Sequence, residues 1–278
     1  MFMNPILNIL LIILIVYVVL TLLVFSFQHF FFFRPEILPS NFEFDYPFDF
    51  EEKTFEMEDG GSVNSLHFKV PNSRGIIYYF KGNSRSIKGW AKFARDFIGN
   101  GYDFFVMDYR GFGKSKGKRT EAKLYNDSQQ IYKYLSKIYE EENIIIYGRS
   151  MGSGIATRIA SWNDPRMLIL DSPYRSFYHQ VKRFAFLLPL RLILRYKIRT
   201  DQFIKHVTAP VHIVHGNKDR LITISHSRKL VEINPDNITL LEVDGAGHNN
   251  LPSYEEYHTF IYEKLNEAAM QWPKVIAV

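Results

Sequence analysis

The hydrophobic positions of this chain fall into three regimes. From Met1 to Phe33 they are continuous: no Lys, Arg, Asp or Glu interrupts them, and Ile6 to Phe27 is almost wholly aliphatic or aromatic. Crossing a bilayer takes about 20 such residues in a helix. A cleaved leader would show a basic start, a shorter apolar stretch and a small-residue cleavage site. Here Met1-Phe2-Met3-Asn4-Pro5 has no side-chain base, and Phe30 to Phe33 is bulky where cleavage needs Ala or Ser. The pattern predicts an uncleaved single-pass anchor over 1–33, its phenylalanines settling at the membrane interface. Arg34 is the only strong positive charge close by, which leans toward a cytoplasmic position for the remainder of the chain. The second regime, 34–52, is a connector rich in Pro and aromatic residues, with no clear period.

From residue 53 to 278 short β-branched or aromatic runs alternate with helical patterns. Strands are expected at Lys53–Met57 and Val63–Val70, joined by a Glu58-Asp59-Gly60-Gly61 turn. Further strands are expected at Gly75–Phe80, Tyr102–Met107, Asn143–Ile146, Met167–Leu170, Pro210–His215 and Asn237–Val243. Arg85–Ile98 reads as a helix with Trp90, Phe93, Ala94 and Phe97 on one face, and Thr120–Glu141 as a long one capped by Thr120. Tyr254–Ala269 reads as the closing helix. A hairpin followed by alternating strands and helices predicts an α/β fold, a mostly parallel sheet covered on both faces. Sites in such sheets lie beyond the carboxyl ends of the strands. An insertion at about 172–205 stands between two strands, with Pro189 dividing it into two short helices.

Bulk composition changes this picture only by exclusion. The 278 residues carry a net charge of +5, too mild to argue for nucleic acid, and there is no cysteine for disulfides or thiolate metal sites. The sequence implies no metal and no organic cofactor.

The chemistry centres on Gly148-Arg149-Ser150-Met151-Gly152, a G-x-S-x-G between an apolar run and a small-residue helix. A serine on so tight a strand-to-helix turn takes a strained backbone, and glycines give the room that side chains would fill. Its hydroxyl then projects from the sheet edge near the first N–H groups of the helix. A serine needs a base to take its proton and a carboxylate to orient that base. His248 is the expected base, in the glycine-loosened loop Val243-Asp244-Gly245-Ala246-Gly247-His248. Of the other histidines, His212 reads as core, His215 as a neighbour of the site, and His29 as part of the anchor. His67, His179, His206, His226 and His258 read as packed or solvated. Asp219 and Asp171 each follow a strand; Asp219 is preferred as the acid because it keeps the chain order Ser, Asp, His. Acyl transfer also needs two donors for an oxyanion. The expected pair is the N–H of Met151 and the N–H of Asn83, in the loop after Phe80.

With these residues in place, the chain resembles the serine hydrolases of the α/β-hydrolase superfamily, in particular the membrane-anchored branch that includes BEM46-like and ABHD13-like proteins. The likeness covers about residues 34 to 270 and rests on Lys81-Gly82-Asn83, the stretch Asp108 to Ser115, Gly148 to Gly152, Gly216-Asn217-Lys218-Asp219, Gly247-His248 and the connector Phe33-Arg34-Pro35-Glu36. It implies an α/β-hydrolase fold and cleavage of an ester, thioester or amide on a small-molecule, acyl or lipid substrate. A peptidase of the same fold and a tethered binding protein without turnover are the competing readings. The family usually has His-Gly before the oxyanion residue, and Lys81 replaces that histidine. The expectation is a cation beside the oxyanion position that favours anionic substrates.

Two basic stretches complete the reading. Arg110 to Lys123 carries six Lys/Arg against Glu121, and Arg175 to Lys205 carries eight against Asp201, mixed with Phe184, Phe186, Leu187 and other apolar residues. The second is expected to be a lid resting on an anionic membrane surface or a plain packed cap. Ser84, Arg149, Tyr174 and Phe184, with Lys81, are its and the pocket's candidate substrate contacts.

Overall fold

The computed structural model describes residues 5–270. The first four residues of the expected anchor and the last eight of the expected domain lie outside them. Pro5–Phe32 is one helix of 28 residues, long and apolar enough to cross a membrane.

Eight strands form one sheet: β1 (Phe50–Glu56), β2 (Ser62–Phe68), β3 (Ile76–Phe80), β4 (Asp103–Met107), β5 (Ile144–Arg149), β6 (Met167–Asp171), β7 (Val211–Gly216) and β8 (Ile238–Val243). Their order is β1-β2-β4-β3-β5-β6-β7-β8, with β1 and β2 antiparallel to their neighbours and the remainder parallel. The parallel strands read as continuous apolar runs because both faces are covered. Alternation sorts their side chains: Ile76, Tyr78 and Phe80 join the core under Ile131, Ile155 and Leu135, while Ile77 and Tyr79 join the one under Phe97, Tyr257 and Ile261.

Strand positions follow the sequence pattern, with β1 starting three residues earlier than expected and β5 running on to Arg149. The helix Glu121–Leu135 starts from Thr120, whose side chain accepts the Lys123 N–H at 3.2 Å. It is shorter than expected, ending at the Ser136 cap before a separate turn at Glu141–Asn143. The expected helix over Arg85–Ile98 is three short pieces, Ile87–Trp90, Ala91–Phe93 and Ala94–Ile98. Both Asp108 carboxylate oxygens take the Ile87 N–H at 3.0 Å, so a strand-end aspartate caps the first piece in place of its own Ser86. The insertion is a cap of three short helices at Phe177–Lys182, Leu190–Ile193 and Thr200–Phe203, where two were expected, and Pro189 stands just before the second. The helix Ser225–Val231 has no clear amphipathic signal in the sequence and was not expected.

The connector is stitched to the domain rather than loose. Arg34 N–H bonds the Asn83 carbonyl at 2.8 Å, Arg85 N–H bonds the Arg34 carbonyl at 2.9 Å, and Gly113 N–H bonds that of Glu36 at 2.7 Å. Phe33, at the expected end of the anchor, is buried in the domain core against Phe112 and Tyr196.

Candidate active site

β5 delivers Ser150 onto the turn before the helix Met151–Ala160 with φ 51° and ψ −121°, a left-handed backbone that a non-glycine residue holds only when its surroundings enforce it. The enforcement comes from close approach. A Cβ on Gly152 would stand 2.1 Å from the Phe80 carbonyl oxygen, and one on Gly148 would stand 2.5 Å from the Ala156 Cβ. Glycine at 152 lets the helix sit against the end of β3, and glycine at 148 lets it pack back onto β5.

Three loops then bring the polar groups together. His248 Nε2 lies 3.0 Å from Ser150 Oγ, and His248 Nδ1 lies 2.7 Å from Asp219 Oδ2. Asp219 is itself fixed: its Oδ1 accepts the N–H groups of Leu221 and Ile222, both at 2.8 Å. His215, inside β7, donates from Nε2 to the Ile222 carbonyl at 2.8 Å and lies 3.3 Å from Asp219 Oδ2. Burial raises the Asp219 pKa, but the hydrogen bonds from His215 and His248 outweigh it, so the carboxyl ends well below the usual carboxylate range. The nearest signal for His215 in the sequence is its place at the end of β7, which marks a neighbour without revealing the contact.

Asp171 serves elsewhere. Its carboxylate takes Arg149 Nε at 3.2 Å and the Ser172 hydroxyl at 2.9 Å. Arg149 is accordingly a buried partner of Asp171, lying over Phe93 at 5.0 Å, and is not among the described lining residues of the pocket beside Ser150.

The loop Lys81-Gly82-Asn83 passes directly by the serine, since a Cβ on Gly82 would be 3.8 Å from Ser150 Cβ. Asn83 is held on two sides, its carbonyl by the Arg34 N–H of the connector and its Nδ2 by donation to the Phe32 carbonyl of the N-terminal helix at 3.0 Å. Met151 opens its helix, where an N–H has no helical acceptor behind it. Both residues line the pocket with Ser150.

Lys81 corrects the expectation of a free cation there. Its ammonium is fully buried on the far side of the loop, 3.3 Å from Asp108 Oδ1 and 3.7 Å from the Phe112 ring centre, and it donates to the Arg85 carbonyl at 3.1 Å. Burial pushes Lys81 down and Asp108 up, while each holds the other charged. Lys81 thus stiffens the loop from behind. Ser84 pairs with Arg34 in a β-bridge, its carbonyl takes the Trp90 indole N–H at 2.7 Å, and it is not among the described lining residues of the pocket.

Tyr174 and Phe184 do line it. The Tyr174 hydroxyl donates to the Met151 carbonyl at 3.1 Å, clamping the helix start, and its ring stacks on Phe177. The cavity is about 430 Å³, with Val181, Ala185, Leu221 and Ile222 among its walls. Sequence reasoning missed a further group of wall residues, Val24, Gln28, Phe31 and Phe32, which belong to the N-terminal helix. The mostly apolar stretch gives little sign of which side faces protein, and its one polar residue among these four, Gln28, is the signal that could have marked it.

The family model described as serine aminopeptidase, S33, matches residues 71–202, a span that holds Asn83, Ser150 and Met151 and stops before Asp219. Alpha/beta hydrolase domain-containing protein 17C of Mus musculus is 33% identical over 194 residues, covering 68% of this chain and 58% of that protein. Protein 17B of Homo sapiens is 32% identical over 203 residues, covering 67% of this chain and 65% of that protein. The chain belongs to the α/β-hydrolase superfamily. It spans about three fifths of the length of these curated hydrolase relatives. Among solved structures, an esterase of Pyrococcus furiosus superposes with a TM-score of 0.67 at 24% identity, covering 84% of this chain and 98% of that one. A monoacylglycerol lipase of Paleococcus ferrophilus gives 0.57 at 19% identity, covering 74% and 99%. These likenesses show the hydrolase fold.

Proposed function

We propose that this protein is a membrane-anchored serine hydrolase that cleaves an ester, thioester or amide through an acyl-enzyme, on an acyl or lipid substrate. The observation that carries the reading is the Asp219–His248–Ser150 line, with contacts of 2.7 and 3.0 Å, at a serine held in a strained turn beside an apolar pocket. Ser150 Oγ adds to the substrate carbonyl carbon while His248 Nε2 takes its proton. The carbonyl oxygen becomes an oxyanion that accepts from the Met151 and Asn83 N–H groups. Collapse expels the leaving group, which receives the proton from His248. Water then repeats the sequence on the acyl-serine and frees the acid. Asp219, ionised and fixed by its loop, keeps the His248 ring oriented and stabilises its charged form.

The peptidase alternative is less well supported. An aminopeptidase has to hold a substrate ammonium, which calls for a carboxylate, and no Asp or Glu is found among the described lining residues. Among those same residues the only charged side chain is Arg34, which suits an anionic or carbonyl-bearing head group. The membrane-anchored branch remains our assignment on the strength of the N-terminal helix and the stitched connector.

Turnover of a panel of acyl esters, thioesters and aminoacyl amides by the full-length protein in detergent tests the reading. Hydrolysis of the acyl esters or thioesters, lost in Ser150→Ala, is expected. Turnover confined to aminoacyl amides would shift the assignment to a peptidase, and no turnover with no fluorophosphonate labelling would leave a binding protein.

A further inference from the structure

The pocket beside Ser150 has two apolar walls. Phe177, Val181, Phe184 and Ala185 of the cap form one, and Val24, Phe31 and Phe32 of the N-terminal helix form the other. A helix that was only a tether would part from the domain at its last turn. This one is held along half its length. The Tyr17 hydroxyl donates to the Leu187 carbonyl at 3.1 Å. Gln28, fully buried, donates to the Ile193 carbonyl at 2.9 Å and accepts the Arg195 N–H at 2.8 Å. The Arg195 guanidinium lies 4.2 Å over the Phe25 ring. At the helix end, Asn83 donates to the Phe32 carbonyl, so the expected oxyanion loop and the helix are tied to one another.

These contacts also set a depth. At 1.5 Å per residue the helix is about 42 Å long, roughly 12 Å more than the hydrocarbon core of a bilayer. Two of its polar attachments, Gln28 and the Arg195–Phe25 stack, lie near the C-terminal end, and the third, Tyr17, lies mid-helix. With head groups at the level of Phe25, Pro5 to Phe25 fills the core's about 30 Å. Leu187 is then beside Tyr17, about 12 Å deeper than Arg195. Phe184, Phe186, Leu187 and Leu192 are 67%, 70%, 72% and 84% exposed, a display expected of a surface that lipid covers. Arg183 lies over Phe184, Arg191 over Tyr178 and Arg195 over Phe25, basic groups of the kind head groups attract.

We infer that the N-terminal helix is a wall of the substrate site, and that the acyl chain of a bilayer lipid enters sideways, between this helix and the cap segment 181–187. The chain lies against Val24 and Phe31 while its carbonyl reaches Ser150, so it never crosses water. The inference rests on the serine-hydrolase reading and adds to it the route and the residues that measure the chain.

The test uses the full-length protein in phosphatidylcholine vesicles and a hexadecyl fluorophosphonate with a diazirine at the tail end. Ser150 Oγ forms the P–O bond and fluoride leaves; on irradiation the diazirine loses dinitrogen and its carbene inserts into the nearest C–H bond. Arg34 is the only Lys or Arg before Lys53, and trypsin does not cut its bond to Pro35, so residues 1–53 are released as one peptide. The expected cross-link joins the Ser150 peptide to that one, within 24–32. Cross-links confined to cap or sheet peptides, from a probe bound at Ser150, would overturn the inference and leave the hydrolase standing. Absence of the Ser150 adduct would bring both down. Independently, Val24→Trp should lower the ratio of kcat/KM for a hexadecanoyl ester to that for a butanoyl ester by about tenfold or more. Leu22→Trp, which faces away from the pocket, should leave that ratio alone. An unchanged ratio in Val24→Trp would contradict the proposal.

Discussion

At the scale of single residues, two aspartates that look alike in the sequence are separated by what they touch. Asp219 meets His248, whereas Asp171 meets Arg149. Asp219→Asn should therefore lower kcat by about 10⁴ with little loss of stability, as expected when the orienting carboxylate goes. Asp171→Asn strands a buried guanidinium, which typically costs about 3 kcal/mol, so it should lower the thermal midpoint and spare the kcat of the folded fraction. Parallel kinetics and calorimetry check this, and the reverse ranking would return the acid role to Asp171. The meeting of Ser150, His248 and Asp219 was legible because chain order and glycine spacing mark all three directly. The Lys81 side chain was not. Its ammonium turns inward because Asp108, at the end of the neighbouring strand, and the Phe112 ring offer it partners there, and that pairing spans residues with no shared sequence pattern.

At the scale of elements, the strands were readable because burial on both faces leaves runs such as Ile144-Ile145-Ile146, which few other structures accommodate. Elements whose ends are set by tertiary partners were not readable, and the three pieces from Ile87 to Ile98, begun by the Asp108 carboxylate, are the example. The docking of the N-terminal helix belongs to the same class, and Gln28 is its hinge-pin. Gln28→Leu leaves the Ile193 carbonyl and Arg195 N–H without partners, and each buried loss costs about 1–3 kcal/mol. Amide exchange over 188–195 should speed up while the strands of the sheet stay protected. Unchanged exchange in the cap would show that Gln28 does not secure it.

At the scale of the whole molecule, two histidines tie stability to pH. Burial holds both His212 and His226 neutral, pushing each down to about 4. His212 bonds Thr239 across the sheet and His226 accepts the Arg175 N–H at the root of the cap. A folded-state pKa below the unfolded one gives stability that is complete above about 6.5 and lost as the pH falls toward 4, because the unfolded chain binds the proton first. The thermal midpoint should accordingly fall between pH 7 and pH 4, and His212→Asn, which keeps a partner for Thr239, should flatten part of that slope. A midpoint level across the range would show that these rings titrate freely in the folded protein.

The proposed mechanism requires a covalent intermediate at Ser150, in the pocket between the cap and the N-terminal helix. The measurement that reaches it most directly mixes the full-length protein with a nitrophenyl ester of a long-chain acid, quenches with acid within the first turnover and maps the acylated peptide by mass spectrometry. The account predicts a burst of nitrophenolate equal to the enzyme present and one acyl group on Ser150. Steady release with no adduct, or an acyl group on another residue, would contradict it.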